Sequence, residues 1–287
     1  MRLLATADLH YNHGRSKPIA IDLINRMNQA GGDVLLLIGD TAIADGDSLQ
    51  ECLSLFTFAG PRLFLCGNHE LWTRTADSHH IFMHDLPRRI RALGWHWLEE
   101  DPFISGNTAI VGTIGWYDYA FASARLAIPR RFYAARQSPA AARYLQNFEL
   151  LGDESDIPES AATLMARWND GKFIHLHRSD EQFLAECLAR LTTQLENTRH
   201  IPNIIAATHC LPFAELLPPF HSEQWEFSKA YLGSPRLGEL LRQYPNITHA
   251  LCGHSHFPAT AQINHIRAIN IGSGYGWKTF LELDLPD

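Results

Sequence analysis

The chain has no apolar stretch near the roughly 20 residues needed to span a bilayer, so it lacks a membrane-crossing segment. Met1-Arg2-Leu3-Leu4-Ala5-Thr6-Ala7 is too short for a signal core, and Asp8 and His10 follow at once. A cytoplasmic location is the expectation. The five cysteines (Cys52, Cys66, Cys187, Cys210, Cys252) form no C-x-x-C pair. That removes a zinc ribbon or dithiol redox motif and leaves buried, reduced thiols. Positive charge is also missing: the net charge is −7 with His neutral. A non-specific nucleic-acid binder needs a positive face, so nucleic acid is not an expected partner. There are no repeats and no low-complexity tract. Charged residues at 19% and hydrophobic residues at 46% are ordinary for a globular chain.

What stands out is histidine, at 16 of 287 residues. Several sit in short clusters with Asp, Asn and Gly, and each cluster follows an apolar run. Leu3 to Ala7 reads as a strand, and Asp8 and His10 follow it. Val34 to Ile38 is a continuous apolar run, hence a strand buried on both faces, and Gly39-Asp40 follows. Leu63 to Cys66 precedes Gly67-Asn68-His69-Glu70. Asn203 to Thr208 precedes His209, and Ile247 to Cys252 precedes Gly253-His254-x-His256. Ligands of open α/β sheets bind beyond the carboxyl ends of strands, so five clusters are expected to converge.

Helical patterns separate the early strands: one from Ser16-Lys17-Pro18 to Gly31-Gly32, one from Ser48 to Phe58, one from Asp77 to Leu93. This β-α-β-α-β order predicts parallel strands with right-handed crossovers. Ser179 to Arg199 is the clearest helix, opened by a Ser179/Gln182 capping box. Short runs at 259–263, 267–271 and 279–283 are too closely spaced for helical crossovers and predict antiparallel strands. Thr108 to Ile114 is another strand. From 118 to 171 the chain shows no strand signal: Arg125, Arg130, Arg131, Arg136 and Arg143 come first, then Glu149, Asp153, Glu154, Asp156 and Glu159. It reads as a helical insertion within one domain spanning 1–287.

Asp8, His10, Asp40, Asn68, His209, His254 and His256 are more ligands than one closed zinc site takes. The set predicts two divalent metals, with Asp40 able to bridge them. Mixed imidazole and carboxylate donors suit Mn, Fe, Zn or Ni better than Mg or Ca, and Mn is placed first. The alternation in Asp8-x-His10 and His254-x-His256 predicts extended segments carrying both members on one side. The preceding glycines permit sharp turns.

The ordered motifs, from Asp8 to His256, resemble those of the calcineurin-like metallophosphoesterase superfamily. The resemblance implies a four-layer αββα fold, two mixed sheets flanked by helices. It implies that Asp8, His10 and His256 hold one metal, that Asn68, His209 and His254 hold the other, and that Asp40 bridges. His69 would polarise the phosphate or protonate the leaving group. The implied activity is hydrolysis of a phosphomonoester or phosphodiester by a metal-bridging hydroxide, on a small substrate such as a nucleotide. The alternatives are a nuclease of the same superfamily and a non-catalytic metal-binding scaffold. The run Gly39-Asp40-Thr41-Ala42 lacks the Asp-Arg-Gly of the protein phosphatase branch. Substrate contacts are assigned to Asn68, His69, Arg130 and Arg131. The plainer reading of the two arginines is a solvated helix salt-bridged to the acidic run that follows.

Overall fold

A computed structural model describes residues 1–152 and 154–286, so Asp153 lies outside the described residues. The strands are β1 (Arg2–Thr6), β2 (Val34–Ile38), β3 (Arg62–Leu65), β4 (His96–Trp97), β5 (Phe103–Ser105), β6 (Thr108–Thr113), β7 (Asn203–Thr208), β8 (Ile247–Cys252), β9 (Ala259–Ile263), β10 (Ile266–Asn270) and β11 (Leu281–Asp284). They form two sheets, ordered β11-β1-β2-β3-β4 and β5-β6-β7-β8-β10-β9. β1 to β4 run parallel and β11 is antiparallel to β1. In the second sheet β6, β7, β8 and β10 are parallel, with β5 and β9 antiparallel at the edges.

Alternation along the strands decides which face each residue covers. Leu3, Ala5, Leu36, Ile38, Leu63 and Leu65 of the first sheet share a core cluster with Ile110, Ile205, Ala207 and Leu251 of the second. The sheets therefore pack face to face. The opposite face of the first sheet (Leu4, Leu35, Leu37, Phe64) packs with Leu23 and Ile24 of the helix Lys17–Ala30. The opposite face of the second (Ala109, Val111, Ile204) packs with Leu191 and Leu195 of the helix Asp180–Thr198. This is the four-layer arrangement, and the capping box of Ser179 and Gln182 is formed.

Three readings need revision. The helix at Ser48 stops at Ser54, because Asn28 captures the chain beyond it: its amide donates to Leu55 O at 2.9 Å and its oxygen accepts from Thr57 N at 3.0 Å. The helical stretch from Ser78 to Ala92 widens to a π-helix over Ile81–Asp85. Pro87 has no N–H to return to the preceding turn, which is a standard cause of such a break. Of the last strands, β9 and β10 form the antiparallel pair, but β10 also joins β8 in parallel, and β11 crosses to the first sheet. Among its described residues the 118–171 segment holds short helices, Arg130–Ala134 and Pro139–Tyr144 among them, and an isolated bridge between Gln137 and Arg167. Phe132, Tyr133, Ala142 and Leu164 of this segment join the same core as the first sheet's outer face, and Phe121 joins that of the second.

Candidate functional site

β1, β2 and β3 of one sheet and β7 and β8 of the other end at one place. The seven proposed ligand residues follow those five strands, and the structure brings all seven together. His10 Nε2 lies 3.7 Å from Asp40 Oδ2, and His256 Nε2 lies 3.6 Å from Asp8 Oδ1 and 2.8 Å from His10 Nε2. On the other side His209 Nε2 is 3.3 Å from Asp40 Oδ1, 3.2 Å from Asn68 Oδ1 and 3.1 Å from His254 Nδ1. Two groups result, Asp8/His10/Asp40/His256 and Asp40/His209/His254, each with ligand atoms within 4.8 Å of one another. Asp40 belongs to both.

The local backbone is not extended, contrary to the expectation from the D-x-H and H-x-H spacing. Asp8, His10, Asp40, His254 and His256 have φ of 57°, 45°, 53°, 70° and 55°. Left-handed conformations cost roughly 1–3 kcal/mol at non-glycine residues and cluster at functional sites. Glycine would remove that strain but also the ligand atom. Hydrogen bonds hold the shape: His10 N donates to Asp40 O at 2.8 Å, and Asp8 N donates to Gly39 O at 3.0 Å. Gly39 does need its freedom, with φ 76° and a hypothetical Cβ only 2.5 Å from His209 Nδ1. Gly67 is required for proximity instead, since a Cβ there would lie 2.3 Å from Asp40 N.

Glu70 has no ligand role, yet it organises two of the loops. Its fully buried carboxylate accepts from the backbone N–H groups of Gly67, Asp40, Thr41 and Ala42 at 2.7, 2.9, 2.6 and 3.1 Å. The imidazoles are oriented from behind, as metal ligands usually are. His209 Nδ1 donates to Ile38 O at 2.9 Å, and His254 Nε2 donates to Tyr231 O at 3.0 Å. Each ring is thereby left with one nitrogen facing the cluster. Lys278 donates to the carbonyl of Asp8.

The electrostatics are those of a site built for cations. Burial pushes the Asp8 carboxyl up to about 8. Burial would also raise Asp40, but His69 and His209 outweigh it and hold Asp40 well below the usual range. Burial pulls His254 to about 4 and His256 to about 3, so both are neutral and free to ligate at pH 7. His209 is the exception: burial opposes its proton, but Asp40 and Asp8 raise it to about 10. A cation there would take the place of that proton. The donor set fits divalent metals: neutral imidazole nitrogens and buried carboxylates converge in two groups sharing one carboxylate.

A cavity of about 340 Å³ opens over the cluster, lined by Asp40, Asn68, His69, His254 and His256 on its floor. Trp72, Trp168, Trp225 and Tyr275 form its walls, and Arg167 supplies a cation. His69 stacks on Trp72, with centroids 3.6 Å apart. Burial lowers its pKa. Arg130 and Arg131 do not line this cavity. Arg130 pairs with Glu181 and lies over Tyr119. Arg131 pairs with Asp156 and donates to Leu150 O at 2.9 Å. Arg131 thus pairs within the acidic run that follows it, whereas the partner of Arg130 lies beyond that run, on the helix Asp180–Thr198. Arg167, Trp168, Asp170, Trp225, Tyr275 and Lys278 carried no sequence motif.

The model of the calcineurin-like phosphoesterases matches residues 1–258, a span that runs across the 118–171 segment. No curated protein matches the chain in sequence. Among solved structures, the fold is shared with phosphopantetheinyl hydrolase of Mycobacterium tuberculosis, with TM-score 0.67, 22% identity, and 96% of this chain and 89% of that one covered. A dimetal phosphatase of Danio rerio superposes with TM-score 0.46 and 12% identity over 94% of this chain and 86% of that one. With the family match covering most of its length, the chain belongs to the calcineurin-like phosphoesterases, metal-dependent hydrolases of phosphoric esters.

Proposed function

We propose that the protein is a dinuclear phosphoesterase acting on a small phosphomonoester or phosphodiester. The observation that carries this reading is the placement of Asp40 in both of two ligand groups, each of which draws residues from both sheets. Asp8, His10 and His256 would hold one divalent ion, and Asn68, His209 and His254 the other, with Asp40 shared. Manganese is the first candidate; Fe, Zn and Ni suit the same donors. When bound, two such ions would neutralise phosphoryl charge and lower the pKa of water toward neutrality.

The chain's own part is positioning and proton handling. His69 lines the cavity, and its Nε2 is 3.8 Å from Asp40 Oδ2. It stands where it can donate to a phosphoryl or leaving-group oxygen. The tryptophan walls offer flat faces to an apolar or aromatic leaving group. Arg167 is placed to meet a second anionic group of the substrate.

The test is hydrolysis of a chromogenic phosphodiester and its monoester, using metal-stripped protein with and without Mn²⁺. Mn²⁺-dependent turnover of either ester is the expected result. No turnover with two Mn²⁺ demonstrably bound, on these esters or on a phosphopantetheinyl ester, would end the enzymatic reading. The substrate side has its own check. Arg167→Met should raise KM roughly three- to tenfold with kcat retained, because a partly exposed charge-assisted contact is worth about 1 kcal/mol. The double replacement of Arg130 and Arg131 by Ala should leave KM unchanged. The reverse pattern would return substrate recognition to the Arg130 helix.

A further inference from the structure

Asp170 opens the short helix Asp170–Phe173 in the segment joining β6 to the long helix Asp180–Thr198, and it is completely buried. Four side-chain donors end on it. Oδ1 accepts from Asn68 Nδ2 at 2.8 Å and from Trp72 Nε1 at 2.7 Å. Oδ2 accepts from Tyr117 OH at 2.9 Å and from Trp168 Nε1 at 2.8 Å. An ionised carboxylate has about four acceptor sites, so its capacity is filled.

Two of those bonds act on the ligand cluster. An asparagine amide has one end that accepts and one that donates. By taking Nδ2, Asp170 leaves Oδ1 facing inward, 3.2 Å from His209 Nε2. The flipped amide would set its oxygen against the Asp170 carboxylate and turn N–H groups toward the space a cation would fill. Asp170 Oδ1 also fixes the indole of Trp72, and that indole is the plane on which His69 lies, 3.6 Å away and tilted by 23°. One oxygen thus sets both the Asn68 amide and the face that supports His69.

We propose that Asp170 is a positioning residue of the metal centre, acting through the Asn68 amide and the Trp72–His69 stack. The proposal rests on the two-metal reading above. Replacing Asp170 by Asn leaves one accepting oxygen for four donors, and adds two N–H groups that face other donors. The Asn68 amide then loses its reason to keep Oδ1 inward.

The experiment is calorimetric titration of metal-stripped protein with Mn²⁺, read beside kcat. Wild type binds two equivalents. In Asp170→Asn one equivalent keeps its Kd, and the other is weakened roughly 10- to 100-fold, the usual range for a lost outer partner. General loosening of the fold would weaken both. Trp72→Phe keeps both metal affinities but lowers kcat, because the plane that supports His69 is lost. Two equivalents bound by Asp170→Asn within twofold of wild type would overturn the proposal. If that variant does not fold, Trp72→Phe decides: an unmoved kcat would overturn it equally. Wild type binding fewer than two equivalents would instead fail the two-metal reading, before any variant is compared.

Discussion

Replacing Asp40 by Asn is expected to lower kcat on the order of 10³-fold, because shared metal ligation supplies several kcal/mol of transition-state charge stabilisation at about 1.4 kcal/mol per decade. The geometry says which half fails. Asp40 Oδ1 accepts the backbone N–H of His69 at 2.9 Å and faces His209, so the amide oxygen of the variant belongs there. The NH₂ then takes the Oδ2 position, 3.7 Å from His10 Nε2 and 3.8 Å from His69 Nε2. A group of donors points at the space between Asp8, His10 and His256, where a cation would need an anion. The Asp8 group should therefore lose its Mn²⁺ first, and stoichiometry should fall from two toward one. Far-UV circular dichroism should not change, since Glu70 still holds the neighbouring backbone. Turnover within tenfold of wild type, with both ions retained, would remove Asp40 from the shared position.

The convergence of the candidate ligand residues was legible because its signal is local. Each ligand follows an apolar strand run, and strands carry their residues to a common edge whatever the loops do. The αββα layering came from the family resemblance; the runs themselves predicted parallel strands, and β2 is buried along all five residues, as an apolar run between two cores must be. The backbone at the ligands was not legible. Alternation in Asp8-x-His10 suggested an extended segment, but left-handed residues on both sides of Leu9 bring the pair together instead. Spacing alone carries no φ. β4 and β5, of two and three residues, are too short to show a period.

The supporting residues were invisible for a different reason: their meaning is purely tertiary. Asp170 lies 102 positions from Asn68, and Lys278 lies 270 from Asp8. Neither sits in a recurring local pattern. The partners of the arginines in the 118–171 segment are tertiary for the same cause. Arg131 found Asp156, 25 positions on, whereas Arg167 stands in the cavity wall beside Trp168. Charge in a stretch of sequence says that partners exist; the fold chooses between an acid and a substrate.

His69→Ala is the second large effect, a loss of roughly 10²- to 10³-fold in kcat if the imidazole is the proton donor, with both Mn²⁺ equivalents retained. Retention follows from geometry: His69 lies outside both ligand groups and stacks on Trp72. The pH profile should be informative as well. Burial lowers the pKa of His69, and cations beside it would lower it further, so the ring is neutral at pH 7 and donates through its N–H. A lowered pKa moves any falling limb toward lower pH, so the wild-type rate should not fall between pH 7 and 8. It should rise instead, because protons on Asp8 and His209 compete with metal and leave as pH increases. The leaving group separates the two jobs open to His69. A nitrophenolate departs without help, whereas an alkoxide must be protonated. A deficit in His69→Ala that is larger by about tenfold or more for the alkyl ester assigns proton donation to the leaving oxygen. An equal deficit for both esters assigns His69 to the phosphoryl oxygens, and a loss under about fivefold for both would take it out of the chemistry altogether.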